Sequence, residues 1–147
     1  MITNNAPLSS VAPMGGLNHA DKSRMSEYDI VAGDIKKYKL KMDPKKAYAA
    51  LLKMTQQPNY RVLRHNNSLL FIDNHKDGMA EGIMFSADKP QAFVQSLRYF
   101  NNGLKKAGIH QLDISSINKD VEPFLKKANL NYTITPIKSG VHITVTA

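Results

Sequence analysis

Between Phe93 and Leu104 the apolar positions fall at spacings of four, three and four, through Leu97 and Phe100, with Val94 and Ala107 widening the stripe. That period belongs to a helix with one face against a sheet. Asp88, two residues before Pro90, is the expected cap and Gly108 the expected stop, so the helix spans about 88 to 107. Short apolar runs flank it: Ile83-Met84-Phe85 predicts a strand before it and Leu112-Asp113-Ile114 a strand after it. A shorter helix then ends near Asn129, with Asp120 as its cap, Pro123 in its first turn, and Val121, Phe124, Leu125 and Ala128 as its buried side. Such a unit makes a right-handed crossover, and its ligands lie beyond the carboxyl end of the first strand, at the amino end of the helix.

Upstream, Tyr60 to Leu63, Leu69 to Ile72 and Gly82 to Phe85 are apolar runs separated by turn residues at 65–68 and 74–78, which predicts a three-strand meander. Ahead of it, Asp43-Pro44 supplies a cap and a first-turn proline, and Ala47, Ala50, Leu51 and Met54 keep helical spacing until Gln57-Pro58. Lys37 to Met42 alternates strictly, lysines at 37, 39 and 41 against Tyr38, Leu40 and Met42, which predicts a half-buried strand. Tyr132 to Ile137 and Val141 to Val145 predict a closing hairpin turned through Lys138-Ser139-Gly140. Residues 1 to about 34 show no period and are broken by Asn4-Asn5-Ala6-Pro7 and Pro13-Met14-Gly15-Gly16. They read as an irregular arm, either a disordered tail or a segment ordered only against a partner, and the second reading makes it a docking segment for a protein partner in a larger assembly. The expected fold is α/β: a mixed, mostly antiparallel sheet flanked by helices over residues 35–147, a C-terminal hairpin and the arm.

Composition narrows the function classes. At 147 residues and 42% hydrophobic the chain makes one domain. Its 20 Lys plus Arg against 12 Asp plus Glu give a net charge of +8, which opens nucleic acid, an acidic protein or an anionic cofactor as partners. Asp21, Glu27, Asp29 and Asp34 outnumber Lys22 and Arg24 in the arm, so the positive charge belongs to the domain. Its densest cluster is Lys36, Lys37, Lys39, Lys41, Lys45 and Lys46, where no aromatic interleaves on the exposed side; a solvated edge explains it better than a stacking platform for single strands. The absence of cysteine excludes thiol chemistry and disulfides. No apolar run approaches the roughly 18 residues of a membrane span, and no signal core opens the chain, which is read as cytoplasmic, or virion-borne if phage-derived. His65 and His75 stand in or beside turns, and His19, His110 and His142 are isolated, so solvated histidines are expected rather than metal ligands. Glu81 and Asp113 read as exposed strand carboxylates, and no Ser/His/Asp, phosphate-loop or metal motif occurs.

The element order resembles the GNAT superfamily of acyl-CoA N-acyltransferases over roughly residues 35 to 147, although the second of that family's two early helices has no counterpart in the sequence. A local signature adds to the resemblance. Members commonly carry Asn, then Ala at three, Tyr at seven, an acidic residue with Lys, and a Gly-aromatic pair. Here Asn118, Val121, Leu125, Lys126-Lys127 and Asn129-Leu130 stand at those positions. The end of the long helix, Leu104-Lys105-Lys106-Ala107-Gly108-Ile109, is also similar.

The resemblance implies a loop at the start of the long helix whose amides receive the CoA pyrophosphate, and a Tyr that protonates the departing thiolate. Candidate cofactor contacts are Ser86, Ala87, Asp88, Lys89, Gln91 and Asn118. That loop has no glycine, carries the Asp88 carboxylate where an anion would sit, and loses a donor at Pro90. Leu125 at the Tyr position has no proton to give. The expectation is therefore a non-catalytic, contact-making domain without a cofactor or catalytic residues, of a kind familiar among tailed-phage virion and accessory proteins. The alternative is an acetyl-CoA-dependent N-acetyltransferase with a divergent loop. A third reading, nucleic-acid binding through the lysine face, requires an affinity that falls steeply with salt.

Overall fold

The computed structural model describes residues 24–146. Its first element is a helix, α1 (Glu27–Lys37), followed by α2 (Pro44–Thr55) and the strands β1 (Tyr60–His65), β2 (Ser68–Lys76) and β3 (Met79–Ser86). The long helix α3 (Pro90–Lys106) leads to β4 (Gln111–Ser116), a short α4 (Glu122–Lys127), and the hairpin β5 (Asn131–Ile137) and β6 (Gly140–Thr146).

The start of the chain corrects the sequence reading. The expected arm is helical from Glu27 onward: Ser26 Oγ accepts from the Asp29 amide at 3.1 Å, and Glu27 and Asp29 sit in the first turn, where the helix dipole favours them. Ile30, Val31 and Ile35 are buried on its inner side. The expected strand from Lys37 to Met42 is the end of this helix and a turn, in which Lys39 takes φ 55 and the Leu40 amide returns to the Ile35 carbonyl. Alternation over six residues cannot distinguish a strand from a helix end running into a turn, and the neighbouring apolar residues of α1 decide the matter. The domain thus has both early helices, and among the described residues no strand precedes them. Residues 1–23 of the arm, including His19, lie outside the described residues.

The sheet has the order β1-β2-β3-β4-β6-β5. All neighbours are antiparallel except β3 and β4, which pair in parallel from Met79 opposite Gln111 to Met84 opposite Ser116. On one face Leu69, Phe71 and Phe85 pack with Ile30, Val31, Ile35 and Leu51 of α1 and α2. On the other, Leu70, Met84, Ile114 and Ile143 pack with the expected stripe Phe93, Leu97, Phe100 and Leu104, each at most 6% exposed. Burial on that scale contributes about 2 kcal/mol per side chain.

Two expected caps are corrected. The residue before α3 is Lys89, with no side-chain cap, and Asp88 turns its carboxylate elsewhere. Helix α4 begins one residue after Val121, and the Asp120 amide donates to Asn118 Oδ1 at 2.9 Å instead of Asp120 capping the helix. Pro123 does fall in the first turn, and Leu125 is fully buried, so the position matched to a tyrosine is core. At the last hairpin a Cβ on Gly140 would strike the Ser116 carbonyl oxygen, so glycine is what lets the hairpin close against the end of β4.

Candidate functional site

Parallel pairing ends at Met84 and Ser116. Beyond it β3 continues to Ser86 while the chain after β4 turns toward α4, and the divergence opens a cleft of about 270 Å³. Helix α1 forms one wall with Asp34, Lys37 and Tyr38, and Ser86 and Asp88 close the β3 side. Ser116, Asn118 and Asp120 line the β4 side, with Phe93 and Phe124 as an apolar floor. Through Pro90 and Phe124 the cleft adjoins a groove of about 350 Å³ between α3 and α4, lined also by Gln91, Val94, Gln95, Arg98 and Lys127.

The cleft contains a carboxylate that the sequence reading had assigned to the arm. Asp34 is only 6% exposed, and its Oδ2 accepts from the Ser86 amide at 2.9 Å. Burial raises its carboxyl from 3.8 to about 6, against the smaller opposing effects of that amide and of Lys37. Tyr38, the next residue along the wall, has its phenol raised, first by burial. A titratable group poised near neutrality in a cleft is a candidate for proton transfer. The signal for it was present: Ser26 and the acidic first turn announce a helix, and Asp34 then falls beside Ile35 on the buried side.

The expected cofactor residues divide. Ser86, Asp88 and Asn118 come together in the cleft, Gln91 lines the groove, and Ala87 and Lys89 are exposed on the loop between. Asp88 is not an isolated charge facing an anion. Its Oδ1 accepts from the Asn67 amide at 2.8 Å, and its Oδ2 from Ser68 Oγ at 2.6 Å and Ser96 Oγ at 2.9 Å. His65 joins this cluster through Nδ1, 3.0 Å from Ser96 Oγ, and stacks on Tyr99 with ring centroids 4.3 Å apart. The solvated histidine expected at 65 is therefore half-buried, and burial lowers its pKa. The side chain of His75 lies outside the described residues.

The loop amides are also engaged. Ser86 donates to Asp34, Ala87 to the Asn67 carbonyl at 2.9 Å and Asp88 to Ser86 Oγ at 3.1 Å. The donors left at the head of α3 are the first-turn amides of Gln91 and Ala92, which have no acceptor within the helix. Cations stand farther along the groove, where Arg98 Nη2 donates to the Lys127 carbonyl at 2.8 Å. The loop's own amides are thus largely consumed within the chain, and the cations nearest the head of α3 are Arg98 and Lys127 of the groove.

The remaining expectations fall outside the cleft. Glu81 and Asp113 stand opposite each other in the middle of the parallel pair. Asp113 accepts from Thr144 Oγ1 at 2.8 Å. The six lysines are exposed on the end of α1, the following turn and the start of α2, not on a strand edge, and Lys37 reaches the cleft. No group of metal-ligating side chains occurs among the described residues. Among them no helix is long and apolar enough to cross a membrane.

No family model and no curated protein matches the sequence. Solved structures do. Tetrahymena GCN5 is 12% identical, with 82% of this chain and 86% of that one covered and a TM-score of 0.54. An acetyltransferase from Thermus thermophilus is 11% identical, covering 85% and 94%, with a TM-score of 0.53. The yncA protein of Salmonella typhimurium, solved with its cofactor acetyl-CoA, is 12% identical, covering 84% and 89%, at a TM-score of 0.48. The domain is GNAT-like in fold. The expectation of a domain without a cofactor is withdrawn, since the structures that share this fold at a TM-score above 0.5 include acetyltransferases.

Proposed function

We propose that the protein is an acetyl-CoA-dependent N-acyltransferase whose cofactor lies in the groove between α3 and α4 and whose reacting end enters the adjoining cleft. The observation that carries this reading is the continuity of a cation-lined groove with a polar cleft at the open ends of the parallel strands. Ligands in α/β units collect at such a divergence. Acetyl-CoA supplies an acyl thioester when bound; the chain's own residues bind and orient it. Arg98 and Lys127 meet the phosphates, and the first-turn amides of α3 add positive potential. Phe93 and Phe124 exclude water from the apolar part of the cleft. The buried Leu125 supplies no proton, and Tyr38 is the cleft hydroxyl of suitable acidity to hold one for the departing sulfur.

Calorimetric titration with acetyl-CoA at low salt tests the reading. Saturable binding is expected, weakened about tenfold by Arg98→Glu and by raised salt, since each lost phosphate contact removes on the order of 1 kcal/mol. Absence of binding by the wild-type protein, or binding indifferent to Arg98→Glu, overturns the groove assignment.

A further inference from the structure

Charge is unevenly spread along the chain. Residues 36–53 carry seven lysines, at 36, 37, 39, 41, 45, 46 and 53, against the single carboxylate of Asp43, and so hold +6 of the net +8. All seven are exposed. Lys37 lies close enough to Asp34 to act on its carboxyl, whereas among the described residues the other six meet no carboxylate at ion-pair distance. Asp43 is occupied as the cap of α2, its Oδ1 accepting from the Lys45 amide at 3.2 Å.

The helix dipole accounts for only part of this cluster. Lys36 and Lys37 stand in the last turn of α1 and Lys53 in the last turn of α2, where a cation is favoured. Lys45 and Lys46 stand in the first turn of α2, which holds no acidic side chain and where a cation is disfavoured. Local stability does not explain them, and a broken local rule points to function. From that turn the outer side of α2 runs through Lys45, Ala49 and Leu52 in one row and Lys46, Ala50 and Lys53 in the next, each at spacings of four and three. Leu52 is 40% exposed, and Met42, just before the cap, 48%. The surface is cationic with apolar side chains between the charges.

A partner that fits it offers anions around apolar groups. Nucleic acid fits poorly, because the stretch has no arginine and its two tyrosines are engaged, Tyr38 beneath Lys37 and Tyr48 on Glu27 and against Tyr28, which leaves no ring for a base. A lipid surface fits poorly too, since Leu51, Ala47 and Met54 of α2 pack onto the sheet and leave little to insert. We infer that the end of α1, the turn after it and the outer side of α2 form a docking surface for an acidic polypeptide segment with apolar side chains between its carboxylates. Lys37 places one end of this surface at the cleft. The inference does not rest on the acyltransferase reading, since docking requires no transfer.

The test uses the full chain and a labelled peptide of repeated Glu-Leu-Glu, compared at one salt concentration with a repeated Glu-Ser-Glu peptide, a DNA duplex and phosphatidylserine vesicles. The leucine peptide is expected to bind saturably, and the serine peptide about fivefold more weakly, having nothing apolar to set on Met42 and Leu52. Lys45→Glu/Lys46→Glu is expected to weaken the leucine peptide about tenfold, while melting no lower than the wild type because glutamate suits a first turn. The same charge change in Lys105→Glu/Lys106→Glu, in the last turn of α3 on the other face of the sheet, is expected to leave binding within about twofold. No saturable binding of the leucine peptide, equal affinity for the serine peptide, or equal weakening by the two double variants overturns the inference. So does a surface that holds the duplex or the vesicles but not the peptide.

Discussion

Asp34 and Asp88 are carboxylates at opposite sides of the same cleft, and they differ in how they are satisfied. Asp88 has both oxygens engaged by one amide and two hydroxyls, all supplied by the chain. Asp34 has one oxygen held by a single backbone amide. A buried polar group with a full set of partners fixes local structure, whereas one left incomplete on a cavity wall is available to a ligand. The Asp88 cluster ties the head of α3 to the β1–β2 turn and consumes hydrogen-bonding capacity that could meet an anion. Two aspartates on one cleft thus carry different roles: Asp34 is the more deeply buried and Asp88 the more fully bonded.

The largest effect should come from breaking the satisfied side. Asp88→Ala removes the acceptor of the Asn67 amide and one of two hydrogen-bond partners of each of the Ser68 and Ser96 hydroxyls, and is expected to destabilise the fold by about 3 kcal/mol, read by urea denaturation at neutral pH. A loss below about 1 kcal/mol would mean that the cluster is dispensable.

The opposite sign is expected at Asp34. Its carboxyl is raised to about 6 in the folded chain from 3.8, so between those values the folded chain holds a proton the unfolded chain has released. Its contribution to stability is greatest below that window and is lost as pH rises through it, a change of at most about 3 kcal/mol. Asp34→Asn should therefore gain about 2 kcal/mol at pH 8 and nothing at pH 3, and flatten the stability profile between. A variant less stable than the wild type at pH 8 would contradict this sign. A residue that reduces stability at neutral pH and sits on a cleft fits the trade between stability and activity.

Ser96→Ala is the smallest of the three. It removes one donor to Asp88 and the hydroxyl beside His65, and a loss of about 1 kcal/mol is expected, together with a change in the His65 titration followed by NMR. An unchanged His65 would separate the histidine from the cluster.

Much of this fold can be read from the chain. The α3 stripe, the meander, the capped α2 and the closing hairpin each repeat a period long enough to identify. Helix α1 escaped for an instructive reason: Asp34 interrupts its apolar side, and the lysine alternation after Ile35 imitates a strand. The residue that hid the helix is the one that makes the cleft chemically interesting, and such conflicts between pattern and structure gather at functional sites. The Asp88 cluster was illegible for a different reason. Its partners come from a turn about twenty residues earlier in the chain and from the second turn of α3, and only the folded sheet brings them together. Arg98 and Lys127 likewise meet across two helices, where each alone reads as an ordinary surface cation.

Acyl transfer at this cleft is read most directly as release of free thiol from acetyl-CoA. With a panel of primary amines at pH 8, the wild-type protein is expected to release thiol above the buffer rate, and Asp34→Asn to lose on the order of 10²-fold or more of that rate. A wild type that binds acetyl-CoA yet releases no more thiol than buffer with every amine, or an Asp34→Asn protein as fast as the wild type, would contradict it.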